Sequence, residues 1–307
     1  MKDHIDAFLD HLKARGYAQT TLENYNRAFR PFLAWLRTRG IEKPEQITSG
    51  HLSEYQEYLY HEYSPGKTLT LSYQMNLLKI LKPLFRYLCE QGRVLSDPSV
   101  KLSLPKLPRR LPRDILSKRE IRLILKNPDI KTLSGFRDRL IFELLYATGI
   151  RKSELFHLST QDINIKRREI MIRLGKGAKD RVVPIPKKTA ELLEKYLYSV
   201  RPELINETKT HALIINDRGG PYNRGNMDYL MKRTLSALKL KKHITTHSFR
   251  HTCATHLLKN RADIRVIQEL LGHKTLASTQ QYTRVDITDL RRMIDKHHPR
   301  EQMKEGR

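Results

Sequence analysis

The sequence predicts a mainly α-helical protein with a small β-sheet, an α+β fold divided between two domains. Residues 1–95 carry apolar side chains at helical spacing. Residues 96–114 are dense in proline and basic residues, which excludes a helix and favours an extended chain. In the mixed domain that follows, residues 115–307, helical patterns surround two strand-like runs, 169–174 and 181–186, joined by the turn GKGAKD. With 307 residues, the chain is long enough for two hydrophobic cores.

The first domain, residues 1–95, is expected to be a small all-α domain of four helices. The second helix should open with a capping box made by Thr20 and Glu23 and should stop at Gly40. The fourth should bend at Pro83, which cannot donate a backbone hydrogen bond. The apolar residues that mark the four helices are Ile5, Phe8, Leu9 and Leu12; Leu22, Tyr25, Phe29, Phe32, Leu33 and Leu36; Leu52, Tyr55 and Leu59; and Leu71, Met75, Leu78, Leu81, Leu84, Phe85 and Leu88.

The proline-rich segment 96–114 has two interpretations. It can be a solvated linker, or it can be a basic strap that lies along phosphates while it joins the two halves of a clamp. Its prolines are Pro98, Pro105, Pro108 and Pro112, and its basic residues are Lys101, Lys106, Arg109, Arg110 and Arg113.

The second domain is expected to begin with a helix capped by Ser117 and Glu120. A helix from Phe136 to Leu145 should end at Gly149, and the two strand-like runs should pair as a hairpin. Further helices are predicted around residues 192–198, 227–238, 249–258, 264–271 and 287–294.

Positive charge is concentrated in the second domain. Residues 1–100 hold 13 Lys and Arg against 11 Asp and Glu, whereas residues 101–307 hold 45 against 22, so +23 of the net +25 lies there. This distribution indicates a polyanionic partner, with DNA or RNA ahead of an anionic membrane surface. No stretch approaches 18 uninterrupted apolar residues, and the N-terminus predicts an amphipathic helix rather than a signal peptide. Cys89 and Cys253 cannot form a disulfide framework or a zinc ribbon by themselves, so a reducing cytoplasm is expected.

Seven polar residues of the second domain form a set suited to one phosphodiester. Arginine guanidinium groups match the two non-bridging oxygens bidentately and stay protonated. Lysine and histidine can transfer protons, and nearby cations can make a tyrosine hydroxyl usable as a nucleophile. The seven are Arg151 and Glu154 in TGIRKSEL, Lys176 in GKGAKDR, His247 and Arg250 in THSFRH, His273 in LLGHKT and Tyr282 in STQQYTR.

Each of these residues also has a structural interpretation. Arg151 and Arg250 lie near expected helix starts, which favour anions, but they are also two arginines among 58 basic residues. Glu154 either holds the Arg151 guanidinium in position or forms a simple surface ion pair. Lys176 either protonates a departing alkoxide from its glycine-rich turn or points to solvent. Tyr282 alone would be interpreted as an amphipathic core residue.

Metal and nucleotide sites are disfavoured by the same motifs. His247, His251 and His256 recur at helical spacing, but Ser248 occupies the position of the glutamate in HExxH. His251 is therefore expected to be structural. The turn around Lys176 lacks the GxxxxGK[ST] pattern, so ATP use is not implied. No metal or other cofactor is expected.

Taken together, TGIRKSEL, GKGAKDR, HSFRHTCATHL and LLGHKTLASTQQYT resemble the motifs of the tyrosine recombinases, the phage-integrase family. The resemblance covers nearly the whole chain, because the helical first domain resembles that family's core-binding domain and residues 115–307 its catalytic domain. Without an additional N-terminal arm-binding domain, the chain is most similar to the Xer-type and simple transposon-borne branches. Phe249 replaces a leucine that is more usual in the His-x-x-Arg motif, and His273 is tryptophan in some members.

The resemblance implies a site-specific DNA recombinase. Tyr282 would attack the scissile phosphate to form a 3′-phosphotyrosyl link, and Lys176 would protonate the leaving 5′ oxygen. A partner duplex would then reverse the step by way of a Holliday junction, without ATP or metal. The residues implied to stabilise the transition state are Arg151, Arg250, His247 and His273, with Glu154 in support.

The resemblance also implies double-stranded DNA sites as partners and a homotetramer on paired sites, possibly with a related recombinase. Residues 286–307 would then dock on a neighbouring subunit, since Ile287, Leu290 and Ile294 have helical spacing; an intramolecular cap is the alternative. The protein is expected in the cytoplasm, associated with the nucleoid and not with a membrane.

Two other functions remain open from the sequence. A type IB topoisomerase-like enzyme would use similar residues as a monomer and religate the same strand, so it would relax a site-free plasmid without producing recombinants. A catalytically silent DNA-binding regulator is the other alternative, although the intact set of seven residues argues against it.

Overall fold

The fold is that of a computed structural model, which describes residues 1–61, 63, 69–106, 115–173, 180–205, 210–242, 244–272 and 287–303. The chain forms two compact units, Met1–Arg110 and Leu111–Arg307. Each unit has its own hydrophobic core. The described residues are mainly helical with one small sheet, which confirms the predicted fold class.

The first unit is all-helical in its described residues. Its core is rich in aromatic side chains, and the ring of Phe32 lies edge-on to Tyr55 with centroids 4.9 Å apart. Trp35 and Tyr55 are also fully buried, so α2 and α3 meet in the centre of this core. The helices are α1 (Lys2–Ala14), α2 (Gln19–Thr38), α3 (Ser49–His61), α4 (Leu71–Lys79) and α5 (Leu81–Glu90), with a 3₁₀ turn at Pro44–Gln46.

One sequence prediction for this unit is wrong, and the structure adds detail to another. The capping box at Thr20 is absent, because α2 already begins at Gln19 after Ala18 and has no side-chain cap. Near the expected bend at Pro83, the helix is divided into α4 and α5 at Ile80, which keeps right-handed helical dihedral angles of φ −72° and ψ −20°. Since Pro83 cannot donate to the carbonyl four residues earlier, that of Lys79, a continuous helix would leave this carbonyl without its partner.

The second unit contains the described strands and the remaining helices. The long helix α7 lies at its centre, and nearly all of its residues from Gly135 onward are buried. The elements are α6 (Lys118–Lys126), α7 (Leu133–Thr148), α8 (Lys152–His157), β1 (Ile163–Asn164), β2 (Glu169–Ile172), β3 (Arg181–Pro184), α9 (Lys187–Lys195), a π-helical turn (Tyr196–Val200), α10 (Arg201–Ile205), α11 (Arg224–Ala237), α12 (Thr246–Lys259), α13 (Ile264–Leu271), α14 (Ile287–His297) and α15 (Pro299–Gln302), with a 3₁₀ turn at Thr160–Asp162.

The predicted ends of α6 and α7 are confirmed. Ser117 and Glu120 form the expected capping box at the start of α6. Gly149 ends α7 in the left-handed conformation, with φ +60°, which glycine adopts without a steric penalty.

The two predicted strands pair antiparallel, as expected for a hairpin, with Ile172 opposite Arg181. The short strand β1 was not predicted, and it adds to the other side of β2. The turn between β2 and β3, which carries Lys176, lies outside the described residues.

The last helices pack within this chain. Leu290, Met293 and Ile294 of α14 are buried in the core of the second unit. Beyond α14, Arg300 is 4% exposed and its Nε donates to both carboxylate oxygens of Glu143 on α7, at 3.0 and 2.8 Å. In the single chain α14 and α15 therefore pack on their own unit, and docking of residues 286–307 on a neighbouring subunit stays a prediction.

None of the described helices combines the length and apolar character needed to cross a membrane.

Candidate active site

Arg151 lies directly at the start of α8, two residues after the glycine that ends α7. Its backbone N–H donates to Glu154 Oε2 at 2.8 Å, and its Nη1 donates to Glu154 Oε1 at 2.7 Å. The Glu154 side chain is only 4% exposed, whereas that of Arg151 is 25% exposed. The pair is therefore not a simple surface ion pair, and Glu154 holds the Arg151 guanidinium in place.

Arg250 lies in the first turns of α12 and is almost completely buried. Its Nη1 donates to the carbonyl of Gly149 at 2.8 Å, and its Nη2 donates to the carbonyl of Leu271. Burial lowers the pKa of Arg250, and the positive charges of Arg151 and Arg181 lower it further, to about 10. The group remains protonated at neutral pH and keeps further N–H donors beyond these two bonds.

The C-terminal end of α13 joins the arginines of the two motifs. Arg250 donates to the carbonyl of Leu271, and Arg151 Nη2 donates to the next carbonyl, that of Gly272, at 3.0 Å. The C-terminal end of a helix presents unpaired carbonyls and carries partial negative charge, so it attracts guanidinium groups. Gly272 ends α13 with φ +62°, and His273 follows it directly in the sequence.

A third arginine, Arg181, was not predicted as a site residue. It begins β3, and its Nη1 and Nη2 donate to the two oxygens of Glu154 at 2.9 and 2.8 Å. Its Nε reaches the carbonyl of Leu270 at 3.4 Å. The only sequence signal was its position as the last residue of GKGAKDR, a motif in which Lys176 alone was interpreted.

Glu154 therefore accepts hydrogen bonds from two arginines. Burial alone raises the pKa of its carboxyl, but the hydrogen bonds from Arg181 and from the Arg151 backbone and side chain outweigh it and lower the pKa to about 2. The carboxylate is thus fully ionised at neutral pH and can orient both guanidinium groups.

His247 and His251 lie one turn apart on α12, and both are exposed. Their rings meet edge to face with centroids 4.6 Å apart. Partial burial lowers the pKa of His247, and the neighbouring charges of His251, Arg250 and Arg151 lower it further. His247 is therefore neutral near pH 7, which suits a hydrogen-bond donor or a proton acceptor.

The histidines of this helix do not converge on a metal. His256 is buried on another face of α12, where its Nδ1 is 3.0 Å from the hydroxyl of Tyr146. In the part of the chain that the structure describes, no three histidine, cysteine or acidic side chains are arranged to bind a metal ion. His251, which was expected to be structural, has an exposed side chain.

Phe249, the departure from the usual His-x-x-Arg pattern, is fully buried next to Arg250. Its ring stacks on Phe142 of α7 with centroids 5.7 Å apart and an interplanar angle of 16°. This contact fixes the first turns of α12 against the central helix. The phenyl ring thus supports the position of Arg250 from the core side.

The structure brings together the described members of the predicted set, Arg151, Glu154 and Arg250, and it places His247 one turn before Arg250 on the same helix. The remaining three, Lys176, His273 and Tyr282, lie outside the described residues.

Comparisons with known proteins identify the family of this chain. The phage integrase family model matches residues 114–288, and a model described as the phage integrase N-terminal SAM-like domain matches residues 5–92. The chain is 40% identical over 297 residues to tyrosine recombinase XerC 2 of Ralstonia nicotianae, which covers 96% of this chain and 85% of that protein. It is 36% identical over 297 residues to tyrosine recombinase XerD of Corynebacterium glutamicum, covering 95% and 97%.

Two solved structures show the same fold. XerH recombinase bound to its difH substrate, in a pre-cleavage complex, aligns with a TM-score of 0.69 at 21% identity and covers 98% of this chain and 83% of that one. A lambda integrase tetramer bound to a Holliday junction aligns with a TM-score of 0.67 at 21% identity, covering 93% and 80%.

Proposed function

Because this chain belongs to the phage integrase family and is a site-specific tyrosine recombinase, we propose that it cleaves and rejoins double-stranded DNA with Tyr282 as the nucleophile. One observation carries the proposal: the arginines of two separate motifs, Arg151 and Arg250, meet at the end of α13. The segment that contains His273 and Tyr282 follows that end directly in the sequence.

Arg151 and Arg250 bind the two non-bridging oxygens of the scissile phosphate. Both guanidinium groups are already oriented in the absence of DNA, Arg151 by Glu154 and Arg250 by two backbone carbonyls. Donors that are fixed in advance stabilise the charge that develops in the transition state without reorganisation. A single donor of this kind is commonly worth about 3–4 kcal/mol.

The chemical step is an in-line displacement at phosphorus. The phenolic oxygen of Tyr282 forms a bond to the phosphorus while the bond from the phosphorus to the 5′ bridging oxygen breaks. Lys176 donates a proton to that leaving oxygen, and one of His247 and His273 accepts the phenol proton while the other donates a hydrogen bond to the phosphate. The products are a 3′-phosphotyrosyl link and a free 5′-hydroxyl.

Strand exchange reverses this step with a new partner. The 5′-hydroxyl of a second duplex attacks the phosphotyrosine and releases Tyr282, so that the bond energy is conserved and neither ATP nor a metal ion is consumed. We infer that the reaction passes through a Holliday junction held by a tetramer on paired sites. Support comes from the family and from the fold shared with a tetramer solved on such a junction.

In such a tetramer, α14 would leave its own subunit and dock on a neighbour. The apolar residues that are buried within the single chain would then pack on the corresponding surface of the neighbouring subunit. These residues are Leu290, Met293 and Ile294. We further infer that the protein works on nucleoid DNA in the cytoplasm, since recombination of double-stranded DNA is its proposed activity.

The nucleophile is tested with a nicked duplex that carries the recombination site. After cleavage, the short strand beyond the nick diffuses away and traps the covalent protein–DNA adduct, which migrates as a shifted band in a denaturing gel. The adduct should form with the wild type and be lost in Tyr282→Phe. An adduct that survives this substitution would refute the assignment of the nucleophile.

The role of Lys176 is tested with a modified leaving group. Lys176→Ala should cleave ordinary DNA slowly, because the departing 5′ oxygen then leaves without a proton. Replacing that bridging oxygen with sulfur, a far better leaving group, should restore the rate. If the cleavage rate of Lys176→Ala does not recover on the sulfur-substituted DNA, Lys176 is not the general acid.

A further inference from the structure

Arg181 has no part in the mechanism above, yet its contacts link the other parts of the site. Its guanidinium donates to both oxygens of Glu154, at 2.9 and 2.8 Å, while Arg151 donates to the same carboxylate from another direction. The carboxylate is thus held between two arginines. A change in the position of Arg181 must therefore change the position of Glu154 and, through it, of Arg151.

Arg181 also contacts the end of α13. Its Nε reaches the carbonyl of Leu270, and the end of its aliphatic stem and its guanidinium carbon lie over Gly272. A Cβ atom added to Gly272 would be 3.2 Å from Arg181 Cδ and Nε and 3.3 Å from Cζ, closer than most side-chain contacts. Glycine at this position therefore permits both the left-handed turn and the close approach of the arginine.

Arg181 is also connected to Lys176 through the backbone of the hairpin. Arg181 begins β3, five residues after Lys176, and pairs across the hairpin with Ile172. The hairpin whose turn carries Lys176 is therefore tied to Glu154 and to α13 by one side chain. Three consecutive carbonyls, those of Leu270, Leu271 and Gly272, each accept from a different arginine.

A purely stabilising role explains this arrangement poorly. The Arg181 side chain is 12% exposed and that of Glu154 4%, and a buried ion pair contributes little to net stability because its desolvation offsets its attraction. A planar guanidinium fixes the orientation of its partner, because it donates two parallel hydrogen bonds to the two carboxylate oxygens, which a lysine ammonium group cannot do.

We propose that Arg181 is a positioning residue that fixes Glu154 and the end of α13, so that Arg151 is aligned with the scissile phosphate and with the hairpin that carries Lys176. The proposal rests on the proposed function, because it needs Arg151 to bind that phosphate. Arg181 itself acts through Arg151 and contacts no DNA.

The test measures single-turnover cleavage of the nicked duplex and equilibrium DNA binding separately. Arg181→Ala should lower the cleavage rate by roughly 100-fold, the effect of displacing a reacting group by about 1 Å, and should leave the DNA dissociation constant unchanged. Arg181→Lys should recover little of the rate, because it restores the charge without the two parallel hydrogen bonds. Weakened DNA binding with normal cleavage of bound DNA would overturn the proposal, as would full activity of the lysine variant.

Arg173→Ala is the matched control. Arg173 lies on the same hairpin, just after β2, and pairs with Asp162 outside the site, with 61% of its side chain exposed. The Arg173→Ala variant loses the same unit charge from the same hairpin as Arg181→Ala. Because Arg173 lies outside the site, the cleavage rate of this variant should stay at the wild-type value. An equal loss in Arg173→Ala and Arg181→Ala would show a general charge effect and overturn the proposal.

A double-mutant cycle separates positioning from an independent contribution. If Arg181 acts through Arg151, the variant that carries Arg181→Ala and Arg151→Ala should cleave no more slowly than Arg151→Ala alone. If the double variant instead shows the product of the two single rate losses, the proposal is overturned.

A second experiment replaces the charged scissile phosphate with a neutral methylphosphonate. The rate losses of both single variants should then become smaller, because the neutral linkage has no negative charge for a guanidinium group to stabilise. A defect of Arg181→Ala that persists on this substrate, while that of Arg151→Ala shrinks, would count against the proposal.

These outcomes also distinguish the inference from the function on which it depends. A wild-type protein that forms no Tyr282-dependent adduct contradicts the proposed function. A wild-type protein that forms the adduct, together with an Arg181→Ala variant that cleaves normally, contradicts only the role of Arg181. If Arg181→Ala does not fold, as shown by a lost thermal transition, Arg181→Lys carries the test, because it keeps the buried charge.

Discussion

Substitution of Gly149 by alanine should destabilise the protein and disturb both arginines of the site. Gly149 ends α7 with φ +60°, and its carbonyl accepts from Arg250, while Arg151 follows two residues later. A Cβ at this position would lie 2.5 Å from Leu271 Cδ2. Leu271 is 1% exposed in the core and its own carbonyl also binds Arg250, so it has little room to move.

The expected cost has two parts. A non-glycine residue in the left-handed region costs about 1–2 kcal/mol. Forcing a methyl group into a packed core costs roughly another 1–3 kcal/mol. The sum, about 2–5 kcal/mol, corresponds to a fall in Tm on the order of 10 °C for a unit of this size.

Gly92→Ala is the control for this substitution. Gly92 has a similar φ of +64°, but nothing lies within 4 Å of its added Cβ, so only the backbone cost of about 1–2 kcal/mol remains. Both variants are measured by thermal and urea denaturation, and the cleavage rate is measured on the nicked duplex. The reasoning is refuted if Gly149→Ala is no less stable than Gly92→Ala.

Three further substitutions test other contacts. Glu143→Gln should lower the free energy of unfolding by about 3–5 kcal/mol, because it removes the buried negative charge that pairs with the buried Arg300; urea denaturation measures it, and a loss below 1 kcal/mol contradicts it. For Glu154, a pKa of about 2 against an ordinary 4.5 means that the stability lost in Glu154→Gln should be constant above pH 4.5 and shrink as the pH falls toward 2. His251→Ala should raise the pKa of His247, since it removes a neighbouring positive charge; an NMR titration that finds the pKa unchanged or lower refutes this.

The helices were predictable because their apolar spacing and their ends are local features. The periodic residues of α2, such as Phe29, Phe32 and Leu36, are buried as expected, and the glycine after α7 ends that helix. Periodicity failed where burial depends on the partner helix: Leu71 fits the pattern of α4 but is exposed, whereas Leu77 is buried. No rule of spacing within one helix can decide which of two neighbouring faces meets the core.

The site was predictable to the extent that its chemistry lies in short motifs. Arg151 and Arg250 were chosen for their fit to a phosphate and Glu154 as a partner of Arg151, and the three do meet in the structure. The sequence left two roles open for Glu154, a surface ion pair or a carboxylate that orients Arg151, because the spacing of two residues does not determine whether they are buried. The catalytic roles of all seven residues stay predictions, and Lys176, His273 and Tyr282 also lie outside the described residues.

Arg181 shows the limit of such reasoning. Its role depends on contacts with Glu154, 27 positions earlier, and with Leu270, 89 positions later. In a sequence with 58 Lys and Arg, nothing local distinguishes it from its neighbours. Only the folded chain, which brings the hairpin against the end of α13, gives this arginine its partners.

The same convergence supports the proposal that the site binds an anion. Among the described residues, Arg151 and Arg181 both pair with the carboxylate of Glu154, and the charge of Arg250 lies near them, so the three positive charges are only partly compensated. The carbonyls at the end of α13 add partial negative charge but no full unit. In the proposed function, a phosphodiester bound by Arg151 and Arg250 supplies the missing charge, and it becomes more negative as the nucleophile attacks. Since folding has already placed these two donors, their attraction should be greatest for the transition state, which is the condition for catalysis rather than for tight binding alone.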